Sequence, residues 1–175
     1  MEEGFRFVKN YREILSNFQD YLTNEEIEKA IKKSSDGFEY LVSGYNTNLD
    51  ALSQDASYDF YSEVEDSQRN QEISIQSIKF ISLCKHHLLP FFGSCDIIYC
   101  PNKKIIGFSR VVKIIQALSL RMQLQENLTK EIADILIKIL EPKSLTVKIH
   151  AIHTCMMIDM SGNNGNEITT VENYQ

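Results

Sequence analysis

The sequence predicts an α+β domain built on an antiparallel sheet, and three observations carry that prediction. Helical periodicity governs the first 45 residues and returns over 109–142. Alternation of apolar and polar residues marks 72–83, 94–101 and 144–160. The segments run as helices, hairpin, helix pair and strand pair, whereas a parallel sheet would need alternating β and α units. At 175 residues the chain suits one folded unit that buries roughly 70% of its unfolded surface.

The first segment, "FRFVKNYREILSNFQDYL", repeats Phe7, Tyr11, Leu15, Phe18 and Leu22 at helical spacing. Thr23 then stands three residues before Glu26, a capping-box signature for a second helix that is expected to run to Gly44. These elements form an N-terminal helical region, 1–45. Residues 46–71 are polar and acidic with little period, and read as a mobile linker loop. The remainder, 72–175, is the expected main domain, which carries the sheet and the helix pair. Its first strand is "EISIQSIKFISL", its second "SCDIIYCP", and a turn at "NKK" leads into "IIGF". The stretch from Ser109 to Pro142 reads as two helices broken near Gln123–Asn127 and stopped by the proline. "SLTVKIHAIHTCMMIDM" reads as one long strand, and a short strand is expected in the tail.

The net charge of −6 argues against a nucleic-acid binder that works by neutralising phosphates. A local group of Lys and Arg can still receive an anionic small molecule. The opening "MEEGFRFVKN" has no signal-peptide pattern, and no apolar run approaches the roughly 18 residues of a membrane span. A cytoplasmic protein with reduced thiols is expected, and there cysteine near histidine points to metal or catalysis.

The segment "SLCKHHLLPFFGSC" crowds two of the four histidines next to a cysteine. Cys84 and His87 have the spacing of two metal ligands on one loop, or of a buried thiol beside a hydrogen-bonded histidine. "HTC" follows about 70 residues later, and strand alternation would put His153 and Cys155 on one face. If that strand passes beside residues 84–87, Cys84, His87 and Cys155 become three ligands with a fourth position open, the pattern of a catalytic zinc. Iron and cobalt suit the same donors. His86 and His153 are then available for proton transfer, or for hydrogen bonds to the ligands. Cys95 and Cys100 read as packing residues, and His150 as solvent-facing.

Gln125 and Glu126 lie where the two helices meet. A helical carboxylate is ordinarily solvated surface, although it can also accept two hydrogen bonds from a guanine's N1–H and amino group. Ser109, Arg110 and Lys113 open the preceding helix, where cations oppose the macrodipole unless an anion lies between them.

These residues resemble the GTP cyclohydrolase I family. "CKHHLLPF" is similar to its Cys-Glu-His-His-Leu-Leu-Pro-Phe, "GFSR" to its Gly-Leu-Ser-Lys, "QLQENLT" to its Gln-Val-Gln-Glu-Arg-Leu-Thr, and "HTCM" to its His-x-Cys-Met. "SGY" at 43–45 also fits. The resemblance implies a tunnelling fold, an antiparallel sheet packed by a helix pair, with sheets pooled into a barrel as a decamer of two pentamers. It implies Zn2+ on Cys84, His87 and Cys155, and GTP as substrate. Water would attack C8 of the guanine, releasing formate and leading to 7,8-dihydroneopterin triphosphate. His86 and His153 would move protons, Glu126 and Gln125 would hold the guanine, and Ser109, Arg110 and Lys113 of a neighbouring subunit would meet the triphosphate. Two alternatives remain: a member acting on substrates with fewer phosphates, and a non-catalytic pterin- or nucleotide-binding assembly.

The sequence also departs from the family pattern. Lys85 replaces a glutamate, Lys33 stands nearest the place of an arginine, and Asp159 occupies the place of a phosphate-binding arginine. Arg110 and Lys113 exchange the family's lysine and arginine, which keeps charge but not fork geometry.

Overall fold

A computed structural model describes residues 7–54, 56–59, 71–158 and 167–175. Helix α1 (Val8–Leu15), extended by a 3₁₀ turn at Ser16–Phe18, packs on α2 (Asn24–Leu41). Phe7 and Tyr11 meet the edge of Phe38, and Arg12 pairs with Glu28. The expected capping box is present: Glu26 N–H donates to Thr23 Oγ1 at 3.3 Å, and Thr23 N–H to Glu26 Oε2 at 2.8 Å. Thr23→Ala should therefore lower stability by about 1 kcal/mol, read as a shift in the denaturation midpoint.

Helix α2 stops at Leu41, short of the expected end, and a 3₁₀ turn (Ser43–Asn46) carries Gly44. Gly44 N–H donates to Leu120 O at 2.8 Å, and Arg121 Nε and Nη2 both donate to Gly44 O, at 3.1 and 2.9 Å. A Cβ at Gly44 would lie 2.3 Å from Ala117 O, so only glycine allows this approach.

The linker reading of 46–71 needs correction. Asn48 caps a short helix, α3 (Leu49–Ser53), and β1 (Ser57–Asp59) pairs antiparallel with β4 (Lys104–Ile106). Composition hid both, because three- and five-residue elements are too short to show a period. Residues 60–70 lie outside the described residues.

The main sheet has the order β5-β2-β3-β6-β7, with β5 Met122–Gln123, β2 Ile73–Cys84, β3 Pro90–Cys100, β6 Ser144–His153 and β7 Glu167–Tyr174. All pairings are antiparallel except the short β2–β5 contact. A bulge at Ser77 (φ 58°) is held by a 2.7 Å bond from its N–H to Asp96 Oδ1. Helices α4 (Phe108–Ser119) and α5 (Gln125–Leu140) cover one face of the sheet. Ile114, Ile115 and Leu118 of α4 and Leu128, Ile132 and Leu136 of α5 meet Phe91, Ile97, Val147 and Ile149 of the strands. Fully burying each such side chain contributes about 1.5–3 kcal/mol. His150 lies on the opposite face and is half-buried rather than solvent-facing, with Nδ1 3.0 Å from Thr169 Oγ1.

The expected helix break lies at residues 120–124, where β5 runs beside the end of β2. The long strand expected over 144–160 is also shorter than predicted. It ends at His153 and gives way to a one-turn helix, α6 (Thr154–Ile158). Thr154 Oγ1 donates to Pro90 O at 2.6 Å and pins that turn to β3. Among the described residues, no helix is long and apolar enough to cross a membrane.

Candidate metal centre and active site

Cys84 ends β2 at the mouth of a tight connection to β3. Its N–H donates to Leu89 O at 2.8 Å, and its carbonyl accepts from His87 N–H at 3.3 Å and Leu88 N–H at 2.8 Å. Leu88 takes φ 53° to close the turn, a conformation that costs a non-glycine residue about 1–2 kcal/mol. The turn folds His87 back onto Cys84, leaving Nδ1 3.4 Å from the buried Sγ.

Cys155 reaches the same place from α6, not from the face of a strand as alternation had suggested. The ligand atoms of Cys84, His87 and Cys155 all lie within 4.8 Å of one another. Bonds of about 2.0–2.3 Å to a tetrahedral ion put neighbouring donors roughly 3.5 Å apart, so these side chains can hold one ion with modest tightening. Burial, reinforced by Cys84, pushes the Cys155 thiol above its ordinary value. A divalent cation among the donors reverses that preference by stabilising thiolates. The donor set thus fits zinc. All four cysteines are free, and burial drives the Cys95 thiol up to about 12, in keeping with a packing role.

His153 ends β6 directly opposite Phe91 of β3, and the two rings stack 4.4 Å apart at an angle of 2°. Its Nε2 lies 2.9 Å from Gln125 Oε1. Burial lowers its proton affinity, the nearby Glu126 carboxylate opposes that shift, and His87 adds to it. His86 is exposed, with its ring edge-on to His87 at 6.0 Å.

Gln125 and Glu126 occupy the first turn of α5, brought to the site because Gln123 pairs with Cys84 and Lys85 N–H donates to Gln123 O at 3.0 Å. Glu126 is exposed beside His153. Gln125 differs from the expectation that it contacts a guanine. It is 2% exposed, and its amide is engaged with Ile149, Ile168, Thr170 and His153. Ser109 and Lys113 are exposed and Arg110 half-exposed near the start of α4, a helix with no side-chain cap and no acid in its first turn. Among the described residues none of the three makes a salt bridge or touches the Cys84 cluster. Asp159 lies outside the described residues. Phe91, Thr154 and Thr170 escaped sequence reasoning, because their parts depend on strand register and no local pattern reports that.

Frame and donors together define an α+β protein with a metal-competent centre beside a carboxylate and two further histidines. The model of the GTP cyclohydrolase I family matches residues 7–174. GTP cyclohydrolase 1 of Hahella chejuensis is 33% identical over 153 residues, covering 87% of this chain and 78% of that protein. The Campylobacter jejuni protein of the same name is 33% identical over 157 residues, 90% and 78% of the two chains. That of Aquifex aeolicus is 55% identical over 87 residues, 50% of this chain and 47% of its own. The chain belongs to the GTP cyclohydrolase I family, whose members are enzymes of the tunnelling fold. A solved archaeosine synthase QueF-Like in the apo form aligns at TM-score 0.43 and 12% identity, over 58% of this chain and 91% of its own.

Proposed function

We propose that the protein is a zinc-dependent GTP cyclohydrolase I, converting GTP and water to 7,8-dihydroneopterin triphosphate and formate. The observation that carries this reading is the convergence of Cys84, His87 and Cys155 at one point, with His153 and Glu126 close by. Zinc held by those three residues supplies the Lewis acidity that makes water nucleophilic near neutral pH.

The chain's other residues bind the substrate and handle protons. Glu126 accepts hydrogen bonds from the guanine's N1–H and amino group, which fixes the base relative to the cluster. His86 and His153 hold and pass protons as water adds at C8, the imidazole ring opens and formate leaves. The ribose then rearranges and closes the new ring. Ser109, Arg110 and Lys113 of a neighbouring copy receive the triphosphate at the uncapped start of α4. That division of labour needs an assembly, a barrel of pooled sheets in a decamer of two pentamers, working in the cytoplasm to supply folate or another pterin. Zinc-loaded protein given GTP should release formate and yield a fluorescent pterin after oxidation. No turnover by the loaded, assembled enzyme would refute the reading.

The residue at position 159 favours a second reading, a substrate with fewer phosphates. An acid where the family places a phosphate-binding arginine exchanges attraction for repulsion, each about 4 kcal/mol at 4 Å with an effective dielectric near 20. Rates with GTP, GDP and guanosine decide between the two. Asp159→Arg should lower KM for GTP, and an unchanged KM would mean that residue 159 does not act on the phosphates.

A further inference from the structure

The side chain of Gln125 is nearly sealed from solvent, and the groups around it fix which way its amide points. Thr129 donates its single hydroxyl hydrogen to Gln125 O at 2.8 Å. The 2.6 Å bond between Thr129 and Thr170 must therefore have Thr170 as its donor. The hydrogen of Thr170 is then committed, so its oxygen can only accept from whatever else faces it. What faces it is Gln125 Nε2 at 3.2 Å, which also meets two carbonyl oxygens, Ile168 O at 3.0 Å and Ile149 O at 3.2 Å. Turning the amide over would set its oxygen against three acceptors. The oxygen is thus forced toward His153 Nε2, 2.9 Å away, and an oxygen there requires a hydrogen on that nitrogen.

From this geometry we infer that Gln125 is a positioning residue that holds the neutral His153 ring in its Nε2–H tautomer and so fixes where its unprotonated Nδ1 points. Stacking on Phe91 fixes the plane of the ring, and the Gln125 bond fixes its rotation within that plane. Among the described residues Nδ1 makes no hydrogen bond of its own. The chain from Thr170 through Thr129 and Gln125 thus passes an orientation from β7 and α5 to the end of β6. The inference rests on the reading of His153 as a proton carrier, but its structural half can be tested without any turnover.

The test is solid-state 15N spectroscopy of zinc-loaded protein labelled at the histidine ring nitrogens, a method indifferent to assembly size. It is recorded at a pH where the rings are neutral. With four histidines in the chain, single substitutions assign the signals. Wild-type His153 should appear as the Nε2–H form alone, and an Nδ1–H signal would overturn the inference even if no variant folds. Gln125→Met keeps length and volume but removes the acceptor. It should bring up the second tautomer and lower kcat at least tenfold, part of the roughly 10²–10⁴ that positioned proton transfer contributes, with KM for GTP changed less than about threefold. A raised KM with an unaltered His153 spectrum would mean that Gln125 serves the guanine instead. A wild-type protein with the predicted spectrum but no activity on GTP would leave the positioning role standing and refute only the assigned reaction.

Discussion

Serine in place of Cys155 is expected to strip zinc from the protein and to lower formate release by at least about 1000-fold, the rate equivalent of several kcal/mol of Lewis-acid stabilisation. A serine hydroxyl does not ionise near neutral pH, so one of the three donors is lost while the shape of the side chain is kept. The fold should tolerate the change, because α6 is held by the bond from Thr154 to Pro90 O and not by the thiol. Cys100→Ser provides the control, since Cys100 lies at the far end of β3 from the cluster and should keep its zinc. Metal analysis after gel filtration, with formate measured on the same fractions, reads the outcome. Wild-type zinc content and turnover in Cys155→Ser would remove that residue from the site.

Gly93→Ala should be the most damaging change of a single methyl group anywhere in the described sheet. Gly93 sits in β3 opposite Ala151, and a Cβ there would fall 1.8 Å from His150 O and 2.8 Å from Ala151 Cα. The obstructing atoms are backbone, so no rotamer can move aside and the strands themselves must part. Overpacking commonly costs about 1–3 kcal/mol, and this substitution belongs at or beyond the top of that range. Its effect also reaches the chemistry. The same β3–β6 register sets Phe91 against His153, and parting the strands two residues away spoils that stack. A loss of at least about 3 kcal/mol in denaturant titration is expected, with kcat reduced in whatever fraction remains folded. A variant as stable as wild type would show that the strands pair less closely here.

The sequence made the helix pair, the strands and the metal donors legible because each has a local signature: periodicity for α4 and α5, alternation for β2 and β6, and Cys-x-x-His for the first two ligands. It overextended β6 through Cys155, since "TCMMI" is apolar enough to continue a strand and nothing local announces the turn at Thr154. The burial of Gln125 was illegible for a related reason. An amide beside an exposed carboxylate looks like its partner, and only the packing of α5 against β7 separates the buried Gln125 from the exposed Glu126. Residues that act through register, such as Phe91 and Thr170, leave no local trace at all.

The bonds around Gly44 and Arg121 bear on how this molecule comes apart. Arg121 clasps Gly44 O with two nitrogens, while its own carbonyl accepts from Ser82 Oγ at 3.1 Å and Leu83 N–H at 3.3 Å. One residue therefore joins the end of the N-terminal helices to the strand that carries Cys84. Fraying of the helices releases the guanidinium and loosens the segment that leads to Glu126. Removing the first 45 residues should therefore speed hydrogen exchange around Arg121 and the end of β2, while the core of α4, α5 and the sheet stays protected.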